Sequence, residues 1–264
     1  VRARRWFTTH KGIANSSGYY SCDGRFRRDA NYSIDWERYH FALQDGWLNG
    51  ATFNGSKKRG NWDLNLNSGN QKYYATIFRA AYHYYYKNIK GLRRPPQNSF
   101  WTTQMKIRAI NELNNESNGS HCASCRFLGL GSAIKIYNPQ SNSREIYGTV
   151  IHELAHASHW SMDRSSYRNS SSIVAESWAR GVQWELTRMI YSGYVPSYFT
   201  NYTGVVQDMI DGISDYDQVS GYNIRQIEDA LNGQSSWTGW RNNIKNRYNN
   251  GTENNLEALF NHWD

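Results

Sequence analysis

The sequence lacks the features that mark disulfide-rich and membrane-spanning proteins. Its 264 residues include only three cysteines, an odd number that cannot pair completely within one chain. No run approaches the ~18 apolar residues that a membrane-spanning helix needs, and the mean hydropathy is −0.82. Aromatic residues, in contrast, make up 15% of the chain, whereas disordered chains contain few. We therefore expect a folded protein of one large or two small domains, with no transmembrane segment.

Two of the cysteines, Cys122 and Cys125, form a CxxC motif directly after His121. A zinc ribbon needs a second CxxC, which the sequence lacks. A redox pair, a local disulfide and an ordinary structural role all stay open. The sequence begins at Val1 without the charged and apolar regions of a signal peptide. We expect a processed, monomeric protein that is secreted or lies at the cell surface, with its signal region outside this sequence.

Basic residues outnumber acidic ones, at 30 Lys and Arg against 22 Asp and Glu, which gives a net charge of +8. Such an excess suits nucleic acid, a membrane surface or an acidic partner, or it belongs to a solvated face without a partner. The clusters Lys57-Lys58-Arg59 and Arg93-Arg94 are short and far apart, and no known nucleic-acid-binding motif occurs. We expect no nucleic-acid partner.

Residues 1–65 are predicted to form a β-rich region. Tyr32, Ile34 and Trp36 alternate with polar residues, and turn signals such as Asn54-Gly55 separate the short runs. The runs S-G-Y-Y, G-R-F and N-Y-S-I-D-W follow one another in an order that resembles a small β-sandwich, the carboxypeptidase-regulatory-like module, over about 45 residues. The alternative is a set of β-hairpins that belongs to the main domain.

Residues 66–160 are predicted to mix helices and strands, and residues 161–264 to be helical. A segment without Pro or Gly predicts the helix at 71–89, amphipathic spacing predicts the helix at 173–191, and alternating apolar residues predict the strands. The predicted elements are helix 71–89, strands 104–110 and 132–137, helix 147–160, helix 173–191 and shorter helices near 197–211, 222–232, 236–249 and 253–262.

The pattern His-Glu-Leu-Ala-His occupies residues 152–156 of a predicted helix. His152 and His156, four residues apart, lie on one face of that helix and can bind one Zn²⁺ at ~2.0–2.1 Å. Glu153 lies beside the metal position, where it can take a proton from water. The alternative is a pair of ordinary histidines, but burying these three side chains without a metal costs several kcal/mol.

Two histidines leave zinc one protein ligand short. The metzincin pattern, with a third His six residues after the second, fails because Met162 occupies that position. Glu176 is the favoured third ligand, because it belongs to a predicted amphipathic helix whose apolar face it shares. Asp163 and Glu185 are the alternatives, and Glu176 itself could instead be a half-exposed residue near a helix N-terminus.

His-Glu-Leu-Ala-His with Glu176 twenty residues after His156 resembles the gluzincin clan of zinc metallopeptidases, thermolysin-like in layout. The resemblance covers about residues 66–200. It implies an α+β, zincin-like fold in which a small mixed sheet and the zinc helix lie above a mainly helical lower subdomain, preceded by the β region. It also implies hydrolysis of peptide or protein substrates, with His152, His156 and Glu176 as zinc ligands and Glu153 as the general base.

The sequence departs from the family pattern at two positions. Thermolysin-like enzymes place an Asp four residues after the ligand Glu, where this chain has Arg180. Something else must then orient His152. They also use a late His to stabilise the oxyanion, which has no match here. A Tyr eleven residues after the second His does match, as Tyr167, and Tyr191 and Tyr194 are alternatives for that role.

Two further histidines and one strand complete the sequence-based expectations. His159 is expected to line the cleft or to lie at the helix C-terminus, and His83 to be a core or surface residue. An extended peptide is expected to add to an edge strand, Ala133–Tyr137 or the segment just before it. The alternative to a peptidase is a non-catalytic zincin-fold module that binds glycan or protein at the cell surface.

Overall fold

Two small β-sheets and eight α-helices make up the part of the chain that the computed structural model describes, which is residues 1–15, 18–46, 49–122, 134–213 and 218–264. The fold is a mixture of helices and strands, consistent with the predicted α+β class. Over these residues no helix has both the length and the apolar character that crossing a membrane requires.

The first sheet is antiparallel and lies in the N-terminal region. Its strands are β1 (Arg2–Arg5), β2 (Thr8–Lys11), β3 (Ala30–Asp35) and β5 (Thr52–Lys58), in the order β2-β1-β3-β5. The alternating pattern around Ile34 therefore predicts β3 correctly.

The second sheet is mixed and connects the N-terminal region to the rest of the protein. It contains β4 (Phe41–Gln44), β6 (Met105–Ala109), β7 (Gly119–His121) and β8 (Ile134–Ile136), in the order β4-β6-β8-β7. The neighbours β4, β6 and β8 are parallel, and β7 is antiparallel to β8. Residues 1–65 thus supply one strand, β4, to this second sheet.

The prediction that Ala133–Tyr137 is an edge strand is wrong for residues 134–137, which the structure describes. β8 pairs with β6 on one side and with β7 on the other, so its backbone groups are already used. Within the described residues the edge strands of this sheet are β4 and β7, and β7 lies in a segment whose polar composition predicts a loop. Ala133 and the alternative, the segment just before it, lie outside the described residues.

The helices confirm most of the predicted helical segments, with shifted ends. They are α1 (Gly69–Tyr86), α2 (Ser143–Met162), α3 (Arg164–Asn169), α4 (Ser172–Arg188), α5 (Val205–Ile210), α6 (Ile224–Leu231), α7 (Trp237–Arg247) and α8 (Leu256–His262). The short helix α3 has no counterpart in the prediction. Residues 197–204, predicted to be helical, precede α5 instead.

Helix α2 lies at the centre of the packing, against α1, α4, β7 and β8. It starts at a capped end, where the Asn142 side chain accepts a hydrogen bond from the Glu145 backbone N–H at 2.9 Å. Its apolar residues, such as Val150 and Leu154, are fully buried. Because α2 is surrounded on several sides, polar side chains in its middle must find partners inside the protein.

Candidate metal centre

Three potential ligand atoms meet between α2 and α4. His152 and His156 lie one turn apart on α2, and their Nε2 atoms are 3.1 Å from each other. Glu176 Oε2 on α4 lies 3.0 Å from the first of these nitrogens and 3.2 Å from the second. A tetrahedral zinc ion with bonds of ~2.0–2.1 Å has its ligand atoms about 3.3 Å apart. The three side chains therefore already have the spacing of a single metal site.

The packing of α4 on α2 explains why Glu176 reaches the two histidines. Val174, Trp178 and Val182 of α4 are buried in the core and fix which face of the helix turns towards α2. Gly181 permits α5 to approach the other side of α4, since a Cβ there would lie 2.3 Å from Val206. Glu176 sits at the border of this buried face, with its carboxylate only partly exposed.

Burial and mutual contact set the charges of the three ligands. Burial lowers the pKa of His152 to about 4, although its hydrogen bond with Glu176 acts in the other direction. Burial also acts to lower the pKa of His156, but the hydrogen bond and charge of Glu176 outweigh it and raise that pKa. Burial acts to raise the pKa of Glu176, yet hydrogen bonds from the two histidines lower it. His156 Nε2 therefore donates a hydrogen bond to Glu176, and its proton occupies the position where a metal ion would bind.

The outer nitrogens of the two histidines lack the usual partners. Among the described residues, nothing forms a hydrogen bond with Nδ1 of His152 or of His156, although both atoms are buried. The aromatic ring of Tyr202 stacks on the His152 ring instead, with centroids 5.8 Å apart and planes inclined by 23°. Burial and the nearby charge of Glu176 raise the pKa of the Tyr202 hydroxyl to about 12, so this hydroxyl keeps its proton at neutral pH. Ring stacking is thus the contact that orients His152.

Arg180 lies near the three potential ligands, at the sequence position where the family pattern has an Asp. Its guanidinium lies 4.8 Å from the centre of the Tyr202 ring and donates a hydrogen bond of 2.9 Å to Gln183. Its positive charge acts to lower the pKa values of His152, Glu153 and His156. The cation therefore helps to keep the imidazoles neutral and so able to bind a metal.

Glu153 lies next to the ligand group, beneath the edge strand β7. Only 5% of its surface is exposed, and burial raises its pKa to about 7. Gly119 of β7 passes directly over it, since a Cβ at that position would lie 2.7 Å from Glu153 Oε1. A carboxyl group that titrates near neutral pH is suited to accept and return protons.

Tyr167 is close to the metal centre, on α3. Its ring centre lies 6.1 Å from that of His156, and its hydroxyl lies 3.3 Å from Nδ1 of His121. Burial and the nearby charges of Glu176 and Glu153 raise its pKa, so the hydroxyl keeps its proton at neutral pH. The structure therefore provides a hydrogen-bond donor beside the ligands.

His121 and Tyr202 are two neighbours of the site that sequence reasoning missed. His121, on β7, stacks on His156 with ring centres 6.2 Å apart and planes inclined by 10°. Because His121 directly precedes the CxxC motif, the sequence pattern indicated cysteine chemistry rather than a place beside His156. Tyr202 lies in a segment predicted to be helical, and one tyrosine among twenty carries no signal of its own.

The alternative third ligands have other roles. Asp163 caps α3, accepting hydrogen bonds from the backbone N–H groups of Ser165 and Ser166 at 2.9 and 3.1 Å. Glu185 is buried and forms ion pairs with Lys90 and Arg188. Among the described residues, the group that could hold a metal ion is His152, His156 and Glu176.

The alternative tyrosines are also engaged elsewhere. Tyr194 is buried and its hydroxyl accepts a hydrogen bond of 2.6 Å from Gln183. The Tyr191 ring packs edge-on against Tyr147, with centres 5.4 Å apart. Of the three candidate tyrosines, Tyr167 is thus the one in ring contact with a ligand histidine.

The two remaining histidines of the prediction are buried. His83 is a core residue whose Nε2 lies 3.0 Å from the Asn88 carbonyl oxygen. His159 lies in the last turn of α2 and is only 1% exposed, so it does not line an open cleft. No described group forms a hydrogen bond with either of its ring nitrogens. Its ring packs edge-on against Tyr167 at 5.1 Å, and burial lowers its pKa to about 3.

Neither Cys22 nor Cys122 belongs to this group of potential ligands. Cys122 is disulfide-bonded, and Cys22 is a free thiol in the first sheet region. The disulfide excludes a zinc-ribbon or free-thiol role for Cys122, and Cys125 lies outside the described residues.

Three potential ligands, a buried carboxyl group and a tyrosine hydroxyl therefore lie together where α2, α3, α4 and β7 meet. Comparison of the chain with protein-family models, with curated proteins and with solved structures gives no match.

Proposed function

We propose that this protein is a zinc-dependent peptidase of gluzincin type, with a zincin-like fold, that acts on peptides or proteins outside the cell. The convergence of His152, His156 and Glu176 carries the proposal, since their ligand atoms all lie within 4.8 Å of one another. Glu153 is the next residue along the same helix, at the position of the general base in the His-Glu-x-x-His pattern.

The donor set favours zinc in a catalytic role. Two imidazole nitrogens and one carboxylate oxygen are the three protein ligands of many catalytic zinc sites, which keep a fourth position open. The helices α2 and α4 hold these donors rigidly at suitable distances. When bound, zinc supplies Lewis-acid chemistry, because it polarises a peptide carbonyl and makes water more acidic.

Glu153 and Tyr167 supply the proton chemistry around that centre. The Glu153 carboxylate accepts the proton of the attacking water and later returns it to the leaving amine. The Tyr167 hydroxyl, which stays protonated, donates a hydrogen bond to the negative charge that develops on the carbonyl oxygen. Glu153 is buried and Tyr167 is half-buried, so little reorganisation is needed during the reaction.

The edge strand β7 is the proposed binding strand for an extended substrate. It runs over Glu153 at Gly119, and His121 at its other end contacts the His156 ring. A peptide that pairs with β7 would pass next to the metal centre and gain main-chain hydrogen bonds. Such binding is largely independent of side chains, so it suits an endopeptidase.

Replacing Glu153 by Gln tests the proposal. The variant keeps the shape of the side chain but cannot accept the proton, and we expect hydrolysis of a peptide library to fall by about 10²–10⁴-fold, with one zinc per chain retained. Glu145→Gln is the matched control, because Glu145 lies in the first turn of the same helix and its substitution is expected to leave the rate unchanged. Equal rates for parent and Glu153→Gln would show that the assignment is wrong.

The same assay distinguishes the alternative function. A parent protein that binds zinc at these ligands and cleaves no peptide in the library would be a non-catalytic binding module. Its binding to glycan and protein arrays would then be the next measurement.

A further inference from the structure

Two aromatic residues project from the turn of the first hairpin. Arg5 of β1 pairs with Thr8 of β2, so that Trp6 and Phe7 form a two-residue turn between the strands. The exposed fractions of these two side chains are 78% and 102%. This pair, which we call the aromatic tip, therefore contributes almost nothing to the core.

The backbone of the tip is strained as well as exposed. Trp6 has φ of +53°, in the left-handed region that disfavours side chains with a Cβ. In two-residue hairpin turns, a first residue with positive φ is usually Gly, Asn or Asp. A large aromatic side chain at this position is unfavourable for folding and also places apolar surface in water. Folding alone gives no reason for Trp and Phe here.

A cluster of cations surrounds the base of the tip. A shallow cleft of about 390 Å³ lies there, and its lining consists of Arg5, Arg27, Arg28, Asp29, Lys57 and Arg59. The strand register explains this arrangement, because Ala30 at the start of β3 pairs with Lys58 at the end of β5. Both strands therefore present these ends on the side of the sheet that carries the turn.

Arg5 connects the cleft to the aromatic tip. Its guanidinium carbon lies 5.2 Å from the centre of the Trp6 ring. One of its nitrogens donates a hydrogen bond of 3.0 Å to the backbone carbonyl oxygen of Asp29. The aromatic tip and the cationic cleft thus form one continuous surface.

The positive charge of this surface exceeds what Asp29, the acidic residue in the lining of the cleft, can balance. Over the described chain, no carboxylate forms an ion pair with Arg27, Arg28, Lys57 or Arg59. Residues 1–60 contain eleven Lys and Arg against five Asp and Glu, a net charge of +6. Most of the +8 charge of the chain therefore belongs to the region of the first sheet.

We propose that this surface docks the protein on an anionic phospholipid membrane. The aromatic tip inserts into the headgroup layer, where Trp is favoured, and the cations of the cleft lie against acidic headgroups. A soluble polyanion would need the cations but not a fully exposed Phe on a projecting turn. A small organic ligand would need an apolar concave pocket, whereas the aromatic residues here project outwards.

Sedimentation with lipid vesicles tests the docking directly. We expect the parent to bind vesicles of phosphatidylcholine with 30% phosphatidylglycerol and not vesicles of phosphatidylcholine alone. Trp6→Gly should abolish most of the binding, while its melting temperature stays equal or rises because Gly accepts the positive φ. Trp101→Gly is the matched control, since Trp101 is 89% exposed in another loop and its loss should leave binding unchanged.

Variants that each remove one positive charge test the membrane docking quantitatively. Because one basic residue near an anionic membrane is worth about 1 kcal/mol, Arg27→Gln and Lys57→Gln should each lower the partition coefficient about fivefold. Equal binding by the parent and Trp6→Gly, or no binding of the parent to anionic vesicles, would overturn the proposal. Retention on heparin that is unaffected by Trp6→Gly, without vesicle binding, would identify a soluble polyanion instead. The metal centre is not involved, so failure here leaves the proposed peptidase function untouched.

Discussion

The Nε2 atoms of His152 and His156 lie 3.1 Å apart, and both contact the same oxygen of Glu176. Two nitrogen lone pairs at this distance repel each other unless a proton or a metal ion lies between them. A proton can bridge only two of these three ligand atoms, whereas a metal ion can bind both nitrogens and the Glu176 oxygen. The arrangement therefore gains more from a metal than from its own hydrogen bonds.

The identity of the third ligand gives the first prediction. Glu176→Gln should weaken zinc binding at least tenfold, because an amide oxygen carries no charge to balance the metal. Zinc affinity is measured by competition with a chromophoric chelator.

Asp163→Asn is the control for that prediction. Asn is as good a helix-capping residue as Asp, so this variant should stay folded and should leave zinc affinity unchanged. A variant of Asp163 that loses zinc while Glu176→Gln keeps it would transfer the ligand role to Asp163.

Tyr167 and Tyr202 are predicted to act differently, although both lie beside the ligands. Tyr167→Phe removes the proposed donor to the oxyanion and should lower kcat by about 10²–10³-fold with little change in KM or zinc affinity. Tyr202→Phe keeps the ring that stacks on His152 but removes the hydroxyl near Glu176. It should weaken zinc affinity by about 10–100-fold and affect kcat little once zinc is saturating.

Steady-state kinetics at saturating zinc, together with chelator competition, separate the two effects. If Tyr167→Phe retained full kcat while Tyr202→Phe lost it at saturating zinc, the two roles would be the reverse of those assigned here.

Gly119 is predicted to be required for activity, because β7 passes so close to Glu153. A Cβ at Gly119 would lie 2.7 Å from both Glu153 Oε1 and Thr149 Cγ2. Gly119→Ala must therefore shift either β7 or the carboxylate, and kcat/KM should drop by at least tenfold. Gly50→Ala is the control, since nothing lies within 4 Å of a Cβ there. Full activity of Gly119→Ala would mean that neither β7 nor Glu153 needs its present position.

His159 is predicted to make stability depend on pH. Its pKa is about 3 in the folded protein and 6.5 in an exposed side chain, so below pH 6.5 only the unfolded chain takes up the proton. Its contribution to stability is therefore complete above pH 6.5 and is lost as the pH falls towards 3. Between pH 7 and pH 5 this amounts to about 2 kcal/mol.

Two variants of His159 separate protonation from burial. His159→Phe and His159→Gln should both reduce the loss of unfolding free energy between pH 7 and pH 5, because neither side chain titrates. At pH 7, His159→Phe should also be more stable than His159→Gln, since the Phe side chain buries no polar atom without a partner. Urea unfolding at the two pH values measures both effects, and an unchanged pH dependence in the Phe variant would exclude His159 as its source.

Most of the helices and the two candidate metal-binding histidines were predictable from local sequence. The spacing of His152 and His156 needs only the helical repeat, and Glu176 follows from the amphipathic pattern of α4. Strand order was not predictable in the same way. β8 has the alternating pattern of a strand with one buried face, but a short strand carries no sign of which neighbours it pairs with. The pairing with β7 depends on a three-residue strand inside a polar segment.

The surroundings of the ligands were also beyond sequence reasoning, for a physical reason. Tyr202 and His121 reach the site through tertiary packing, from segments 35 or more residues away in sequence from the histidines that they stack on. Arg180, four residues after Glu176, showed that the Asp of the family pattern is missing. It did not show that an aromatic ring orients His152 instead. The strained turn at Trp6 was equally invisible, because it is defined by a backbone angle.

Zinc titration of the metal-free protein tests the central claim most directly. Zinc is added stepwise to chelator-treated protein, and bound metal and peptide hydrolysis are measured in the same samples. We predict that hydrolysis rises in proportion to bound zinc and reaches its maximum at one zinc per chain. Zinc that binds at His152, His156 and Glu176 without producing hydrolysis, or hydrolysis that does not follow bound zinc, would contradict the account.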